Sequence, residues 1–275
     1  MNCRNCGAEL RSTDKFCPAC GQGVAEGLDR SFSHLLRASL EEVTSVDSRF
    51  WRSIKALIFS PGSLSRAFRE GRRRQFLSPI GIFLLGNLLY FLAPPLSDLQ
   101  LPLSDQYELQ PYRVLITGWV DHYIAQSGQS FEDVARLYEL RIAELAKVMV
   151  IFMVPLVALV TQALFLDRRL YYADHVVIAL HYLAFVLIYL ISTSAVFSLI
   201  YWLAPDGVGR YLPRLVPVVL CGVLIYAAPM LKRAMDVSWW RAILFTPLFV
   251  VGFFIAHLTY RLLQFTIGFT LVTIT

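Results

Sequence analysis

Residues 145–166 read LAKVMVIFMVPLVALVTQALFL, and the charged tripeptide Asp167-Arg168-Arg169 follows at once. A run with one charged residue is typical of a helix that crosses a membrane, because about 20 apolar residues span roughly 30 Å of hydrocarbon. Similar runs lie at about 76–92, 175–203, 211–231 and 242–263. The sequence therefore predicts an all-α polytopic membrane protein of about five transmembrane helices.

The composition of the whole chain agrees with this interpretation. Of the 275 residues, 56% are hydrophobic and only 16% are charged. A soluble domain usually carries about 25% charged residues, so the bilayer is the expected solvent of this chain. The formal net charge is +5, and the basic residues gather before residue 75 and in short loops. That placement suits an anionic cytoplasmic leaflet better than nucleic acid.

The N-terminus carries a separate signal, a pair of cysteine motifs. Residues 3–7 read CRNCG and residues 17–21 read CPACG. Four thiolates at this spacing suit one tetrahedral zinc ion, and such a closed site leaves no position open for catalysis. We therefore assign residues 1–23 as a zinc ribbon that binds structural Zn²⁺. Its predicted ligands are Cys3, Cys6, Cys17 and Cys20.

A disulfide pair and a redox dithiol are the alternatives for these cysteines. The first 50 residues contain no apolar core of a secretory signal, so we expect a cytosolic N-terminus with reduced thiols. The doubled motif has no βαβ context, which disfavours a redox dithiol. Phe16 is predicted to be the main apolar residue of the ribbon, and Cys221 a small buried residue of a span.

Residues 24–75 are interpreted as cytoplasmic juxtamembrane helices. Amphipathic helices are predicted at 32–47 and around 50–58, where apolar residues recur at helical spacing opposite basic ones. The second helix fits either the surface of an anionic leaflet or a groove of the protein's own bundle. Three consecutive arginines precede the first span and predict a basic anchor at the membrane surface. They are Arg72, Arg73 and Arg74.

Residues 76–275 form the predicted transmembrane bundle, with an extracytoplasmic loop at 97–142. Two helices are expected in this connection, and the second begins at Ser130, where Asp133 resembles part of a capping box, and runs into the span at 145–166. The excess of Lys and Arg on one side predicts a cytoplasmic N-terminus. Arg261 and Gln264 leave the end of the last span ambiguous.

Polar residues inside the predicted spans are candidates for a functional site, since the membrane makes them costly. Asp174, His175 and His181 lie at the cytoplasmic start of the third span, with Gln162 and Asn87 as expected neighbours. The alternative is structural: Asp174 caps the helix, His175 lies at the interface, and His181 bonds a neighbouring helix. Asp174 and His181 share a face but lie about 10 Å apart along the axis.

Several motifs together resemble a known family. They are FCPACGQ at 16–22, SPG at 60–62, SPI at 78–80, MVPLVA at 153–158, and YADHVVIALH at 172–181. The chain resembles, over about residues 1–200, a family of bacterial zinc-ribbon-headed membrane proteins classed as a domain of unknown function. Asp174 stands where that pattern often has a glutamate. The resemblance implies a multi-pass protein of the bacterial inner membrane and brings no activity with it.

The sequence contains no Gly-x-Ser-x-Gly, His-Glu-x-x-His or phosphate-binding glycine loop. It therefore favours a non-enzymatic membrane adaptor, scaffold or regulatory protein that docks a protein partner through its ribbon. The alternative is a small transporter or proton-coupled carrier that uses Asp174, His175 and His181. An intramembrane lipid enzyme with His181 as general base is a third possibility. A homo-oligomer is compatible with each of them.

Overall fold

The computed structural model describes residues 1–24, 48–92, 99–203 and 215–274. Ten α-helices occupy this described part, while the ribbon at its start has turns and two isolated bridges, Asn2–Glu9 and Phe16–Gly23. The helices are α1 Ser48–Phe59, α2 Ser63–Arg69, α3 Pro79–Leu92, α4 Leu103–Glu108, α5 Arg113–Ser127, α6 Phe131–Met149, α7 Met153–Leu164, α8 Tyr172–Leu203, α9 Leu215–Met235 and α10 Trp239–Ile274. The helix predicted at 32–47 lies outside the described residues.

Three helical segments in the described ranges are long and apolar enough to cross a membrane: Phe131–Leu164, Tyr172–Ile200 and Trp239–Ile274. They indicate a membrane protein. The predicted number of about five spans stays a prediction. The helix α3 is apolar but has only 14 residues, or about 21 Å of length.

The helix predicted to begin at Ser130 is confirmed. The Ser130 hydroxyl accepts a bond from the backbone N–H of Asp133 at 3.2 Å and donates to the Asp133 carboxylate at 2.7 Å. The helix continues through a 3₁₀ turn, Val150–Phe152, into α7. Pro155 explains that turn, because proline has no N–H to donate to the residue four positions earlier.

The helix α1 packs against the protein's own helices along one face. Ser53 and Leu57 are buried, and the Tyr226 hydroxyl of α9 donates to the Leu57 carbonyl at 2.8 Å. Trp51 and Phe59 remain exposed. Of the two placements that the sequence left open, the structure therefore shows contact with the bundle.

The turn between α1 and α2 approaches α9 very closely. Gly62 has a φ of 79°, and a Cβ built on it would lie 2.5 Å from the Met230 carbonyl oxygen. Only glycine adopts this conformation without strain and leaves room for the backbone of α9. The turn therefore fixes α1 and α2 against the bundle.

The connection at 97–142 is more than a loop. The helices α4 and α5, the first part of α6 and the last part of α10 share a hydrophobic core of their own, here called the second unit. Its buried residues are Leu103, Tyr112, Ile116, Val120, Val134, Tyr138, Ile142, Phe265, Phe269 and Val272.

The second unit explains the ambiguous end of the last span. The Arg261 guanidinium donates to the Gln110 side chain at 3.0 Å, and the Gln264 amide donates to the Leu99 carbonyl at 2.8 Å. Both residues thus bind the connection at 97–142, and α10 continues past the predicted end at Leu263 to Ile274.

The prediction for Cys221 is wrong, since this cysteine is exposed on the outward side of α9. Its apolar neighbours suggested burial in a protein core. In a membrane bundle, however, apolar residues also face outward, and the sequence pattern alone does not separate the two directions.

Candidate functional site

The four cysteines of the ribbon come together as predicted. Their Sγ atoms all lie within 4.8 Å of one another. The Cys3–Cys20 and Cys6–Cys17 pairs are 3.7 Å and 3.6 Å apart. Sulfurs bound to one tetrahedral zinc at about 2.3 Å lie about 3.8 Å from each other, so the donor set fits a metal ion. These separations are too long for disulfide bonds of about 2.05 Å.

The two cysteine turns are built alike. Gly7 and Gly21 have φ values of 78° and 69°. Their backbone N–H groups donate to the carbonyls of Cys3 and Cys17, each at 2.8 Å. The backbone N–H of Cys6 lowers the pKa of the Cys3 thiol, whereas burial and the neighbouring thiols raise the pKa of Cys6. The four sulfurs thus interact with one another as a single cluster.

Phe16, predicted to be the main apolar residue of the ribbon, does not form a core for it. Phe16 is 65% exposed, whereas Cys3 and Cys17 are 6% and 1% exposed. A unit of this size has no room for an aromatic core, and the cysteines occupy its centre instead. Phe16 is therefore an apolar residue at the ribbon's surface.

The ribbon is held against residues 71–75, the segment between α2 and α3 that we name the entry loop. The Gln22 amide donates to the Gly71 carbonyl at 2.6 Å, and the Arg74 guanidinium donates to the Gly21 carbonyl at 2.9 Å. The Gln75 amide donates to the Asn5 carbonyl at 2.9 Å. Side chains from both partners thus cross the interface to main-chain oxygens, which fixes the register of one on the other.

The three predicted anchor arginines contact protein groups. Arg72 pairs with Glu70 at 2.5 Å, the Arg73 guanidinium lies 4.6 Å from the centre of the Phe68 ring, and Arg74 binds the ribbon. The hydrogen bond from Arg66 lowers the pKa of Glu70, which keeps this carboxylate ionised among the arginines. Contact of the three arginines with the membrane surface stays a prediction.

Other basic residues bind the C-terminal end of α9. Arg69 donates to the Ala234 carbonyl, and Arg168 donates to the Met235 carbonyl at 3.0 Å. The last carbonyls of a helix carry partial negative charge, so cations stabilise this end. Asp236, with a φ of 53°, ends the helix in the left-handed conformation.

A two-bond ion pair links the α7–α8 turn to the start of α10. The two terminal nitrogens of the Arg241 guanidinium donate to the two carboxylate oxygens of Asp167, at 2.7 Å and 2.5 Å. The hydrogen bond from Arg241 lowers the pKa of Asp167. The charged tripeptide that closes the run at 145–166 is therefore part of a network joining α7, α9 and α10.

His181 faces a packed interface. It is 5% exposed, and its Nδ1 atom lies 2.9 Å from the Ser65 hydroxyl of α2. The space around it, lined by α1, α2, α8 and α9, has no room for a water molecule. The contact joins the juxtamembrane helix α2 to the bundle.

His175 and Asp174 have other partners. His175 Nδ1 lies 3.0 Å from the Thr161 hydroxyl, which donates its own proton to the Ala158 carbonyl at 2.9 Å. His175 Nδ1 is therefore the donor to Thr161, since that hydroxyl has only one proton. The Asp174 carboxylate accepts a bond from the Tyr171 backbone N–H at 3.0 Å, as a residue in the first turn of α8 does.

The structure does not gather the five polar candidates into one site. The Asn87 amide donates to the Lys147 carbonyl at 2.8 Å, and its buried Oδ1 has no hydrogen-bond partner. Gln162 is half-buried on α7, next to Thr161. Asp174, His175 and His181 each bind a different group, as described above. A functional role for these candidates stays a prediction.

Ser65, Thr161 and Tyr226 each form a buried polar contact between helices. Thr161 lies within a predicted span and was expected near the polar candidates, but sequence reasoning missed Ser65 and Tyr226. Gln22 carried a signal, as the last residue of the FCPACGQ motif, because a glutamine just after a cysteine turn is placed to bind main chain. Ser65 and Tyr226 gave none.

Two family models match the chain. Residues 2–24 match the model of a zinc-ribbon domain. Residues 47–91 match the model of a family described as a protein of unknown function, DUF3667. The resemblance inferred from the sequence is thereby confirmed. Among curated proteins and solved structures, none matches the chain.

Proposed function

We propose that this chain, which joins a zinc-ribbon domain to a DUF3667 segment, is a non-enzymatic membrane adaptor of the bacterial inner membrane. Its ribbon would bind Zn²⁺ and a cytoplasmic protein partner, and its helices would anchor the assembly. The observation that carries the proposal is the hydrogen-bonded attachment of the ribbon to the entry loop. An adaptor needs such a fixed connection between the docking module and the anchor.

The position of the entry loop supports this role. It connects α2 to α3, and both helices contribute buried side chains to the hydrophobic core of the helix bundle. Leu64 and Ile82 are among them. A partner bound to the ribbon would therefore be connected, through the entry loop, to two helices that are packed into the bundle. Phe16, exposed on the ribbon, is the apolar side chain best placed to contact that partner.

The carrier alternative has less support. A proton relay requires titratable groups that reach water or one another. His181 instead binds Ser65 in a space without room for water, and Asp174 caps its own helix. No observation in the described ranges favours transport over docking.

Complementation of a deletion strain separates the two functions. We expect Phe16→Ala to lose most of the complementing activity, because its exposed ring contributes to docking and not to the ribbon's fold. We expect His181→Gln and Asp174→Asn to keep nearly full activity. Glutamine still bonds Ser65 at a cost of about 1 kcal/mol, and asparagine still accepts from Tyr171.

All three variants are compared at equal membrane abundance, measured by immunoblot. Loss of activity in both His181→Gln and Asp174→Asn, together with full activity of Phe16→Ala, would reverse the ranking. The carrier would then be the better account, since titration would be the property that matters.

Thiol labelling in whole cells tests the proposed orientation. In a Cys221→Ser background, a cysteine at exposed Gln126 should react with a membrane-impermeant maleimide. A cysteine at exposed Ser238 should react only after permeabilisation. The reason is that the basic α9–α10 turn belongs on the cytoplasmic side. Labelling at Ser238 in intact cells would contradict the N-in orientation.

A further inference from the structure

The exposed surface of α5 changes character along its length. Its first two turns expose Val114, Leu115 and Trp119, whose exposed fractions are 81%, 63% and 53%. Its later turns expose Asp121 and Gln126 instead. Leu115 and Gln126 are eleven positions apart, so they lie on the same face about three turns from each other.

The contacts of α5 with α10 give its direction. Trp119 pairs with Phe265, and Tyr123 pairs with Phe269, so both helices run the same way. Just before α5, Gln110 accepts a bond from Arg261. The apolar turns of α5 therefore lie beside residues 261–265 of α10, and the polar turns lie further along.

The position of residues 261–265 relative to the membrane follows from the length of α10. Arg241 marks one polar boundary, through its ion pair with Asp167. About 20 residues later, or roughly 30 Å, the helix reaches Arg261, where the hydrocarbon layer ends. Trp119 lies about one turn beyond this point, in the headgroup region that tryptophan prefers.

The opposite side of the second unit is charged at the same level. Tyr138 of α6 contacts Phe265, the same ring that Trp119 contacts. Around it α6 exposes the charged Glu139, Arg141 and Glu144 together with the apolar Leu137 and Leu140. The α6 side of the unit therefore carries charged groups at this level, whereas the first two turns of α5 expose mainly apolar side chains.

From this arrangement we infer that the second unit rests on the bilayer, with the first two turns of α5 inserted into the interface of the leaflet where α10 emerges. The occupant of the apolar surface is lipid. The apolar turns of α5 lie at the level where α10 reaches Arg261, and the turns of α5 beyond them expose polar side chains. If a protein partner covered this surface of α5, there would be no reason for the polarity of its exposed side chains to change with depth in the membrane.

Photo-crosslinking to lipid tests this inference. A benzophenone amino acid replaces Leu115, Gln126 or Arg141 in the full chain, reconstituted in phosphatidylethanolamine–phosphatidylglycerol vesicles. Leu248, exposed on the apolar part of α10, serves as the positive control. After irradiation, intact-protein mass spectrometry measures the fraction of chains that carry a lipid adduct.

We expect the adduct fraction at Leu115 to approach that at Leu248 and to exceed those at Gln126 and Arg141 several-fold. Equal fractions at Leu115 and Gln126 would overturn the inference. A crosslinked dimer at Leu115 in place of a lipid adduct would also overturn it, because the occupant would then be a second copy of the chain.

Discussion

The variant Cys17→Ser is expected to lose its bound zinc and to release the entry loop from the ribbon. Cys17 is 1% exposed at the centre of the thiol cluster. Structural zinc contributes about 10–16 kcal/mol to the folding of such small units, which do not fold without it. Removing one of four thiolates should therefore unfold the ribbon, and the bonds from Gln22 and Arg74 should be lost with it.

Two measurements check this expectation on the purified protein. Elemental analysis should give one zinc per chain for the wild type and close to none for Cys17→Ser. Limited trypsin digestion should cleave at Arg73 and Arg74 much faster in the variant, because the loop is no longer held by its hydrogen bonds to the ribbon. The control is Cys221→Ser, which removes a cysteine outside the ribbon and should change neither result.

Unchanged zinc in Cys17→Ser would show that this cysteine is not a ligand. A wild type saturated with metal but well below one zinc per chain would contradict the site as a whole. Loss of zinc without faster cleavage would keep the metal site and refute the attachment of ribbon to entry loop.

The variant Gly62→Ala is expected to destabilise the bundle by about 2–5 kcal/mol. A left-handed backbone costs a residue with a Cβ about 1–2 kcal/mol. The new methyl group would lie 2.5 Å from the Met230 oxygen and 3.1 Å from the Ala234 nitrogen. Both atoms belong to the backbone of α9, so relief requires moving a helix, at a further cost of about 1–3 kcal/mol.

Thermal unfolding in detergent, followed by the loss of monodisperse protein, should show a midpoint lower by roughly 5–15 °C. The matched control is Gly118→Ala on α5, where a Cβ meets no atom within 4 Å. That variant should keep or slightly raise the midpoint, since alanine favours a helix interior by about 0.5–1 kcal/mol. Equal midpoints for the two variants would mean that the turn at Gly62 is not packed on α9.

Features encoded in short contiguous stretches could be predicted from the sequence. The zinc ligands follow from two Cys-x-x-Cys motifs, and the start of α6 follows from Ser130 and Asp133. The long apolar segments follow from composition. In each case the residues that interact, or that share one solvent, are neighbours in the chain.

Contacts between distant segments could not be predicted. Ser65 and His181 are 116 positions apart, and Gln22 and Gly71 are 49 positions apart. A serine or glutamine side chain can form hydrogen bonds with many kinds of partner, so the residue type does not identify the partner. The second unit was missed for the same reason, because its core forms only when the end of α10 joins α4, α5 and α6.

Phe16 and Cys221 show a different limit. A hydrophobic side chain favours an environment away from water. Its hydrophobicity does not specify whether that environment is a protein core, lipid or the surface of a small metal-binding unit. Cys221 was predicted to be buried, and Phe16 was predicted to be the main apolar residue of the ribbon. Both are exposed, one on a unit without an aromatic core and the other on the outside of a bundle.

The length of α10 gives the molecule a mechanical property. A Cβ on Gly252 would lie 2.6 Å from Val160, so α10 and α7 touch closely at this point. The arm from Trp239 to Gly252 is about 20 Å long and the arm from Gly252 to Ile274 about 33 Å. If α10 pivots there as a lever, a tilt that moves Arg241 by about 1 Å displaces the far end at Ile274 by about 2 Å in the opposite direction. A displacement of Arg241 at its ion pair with Asp167 would thus produce a larger displacement at the opposite end of α10.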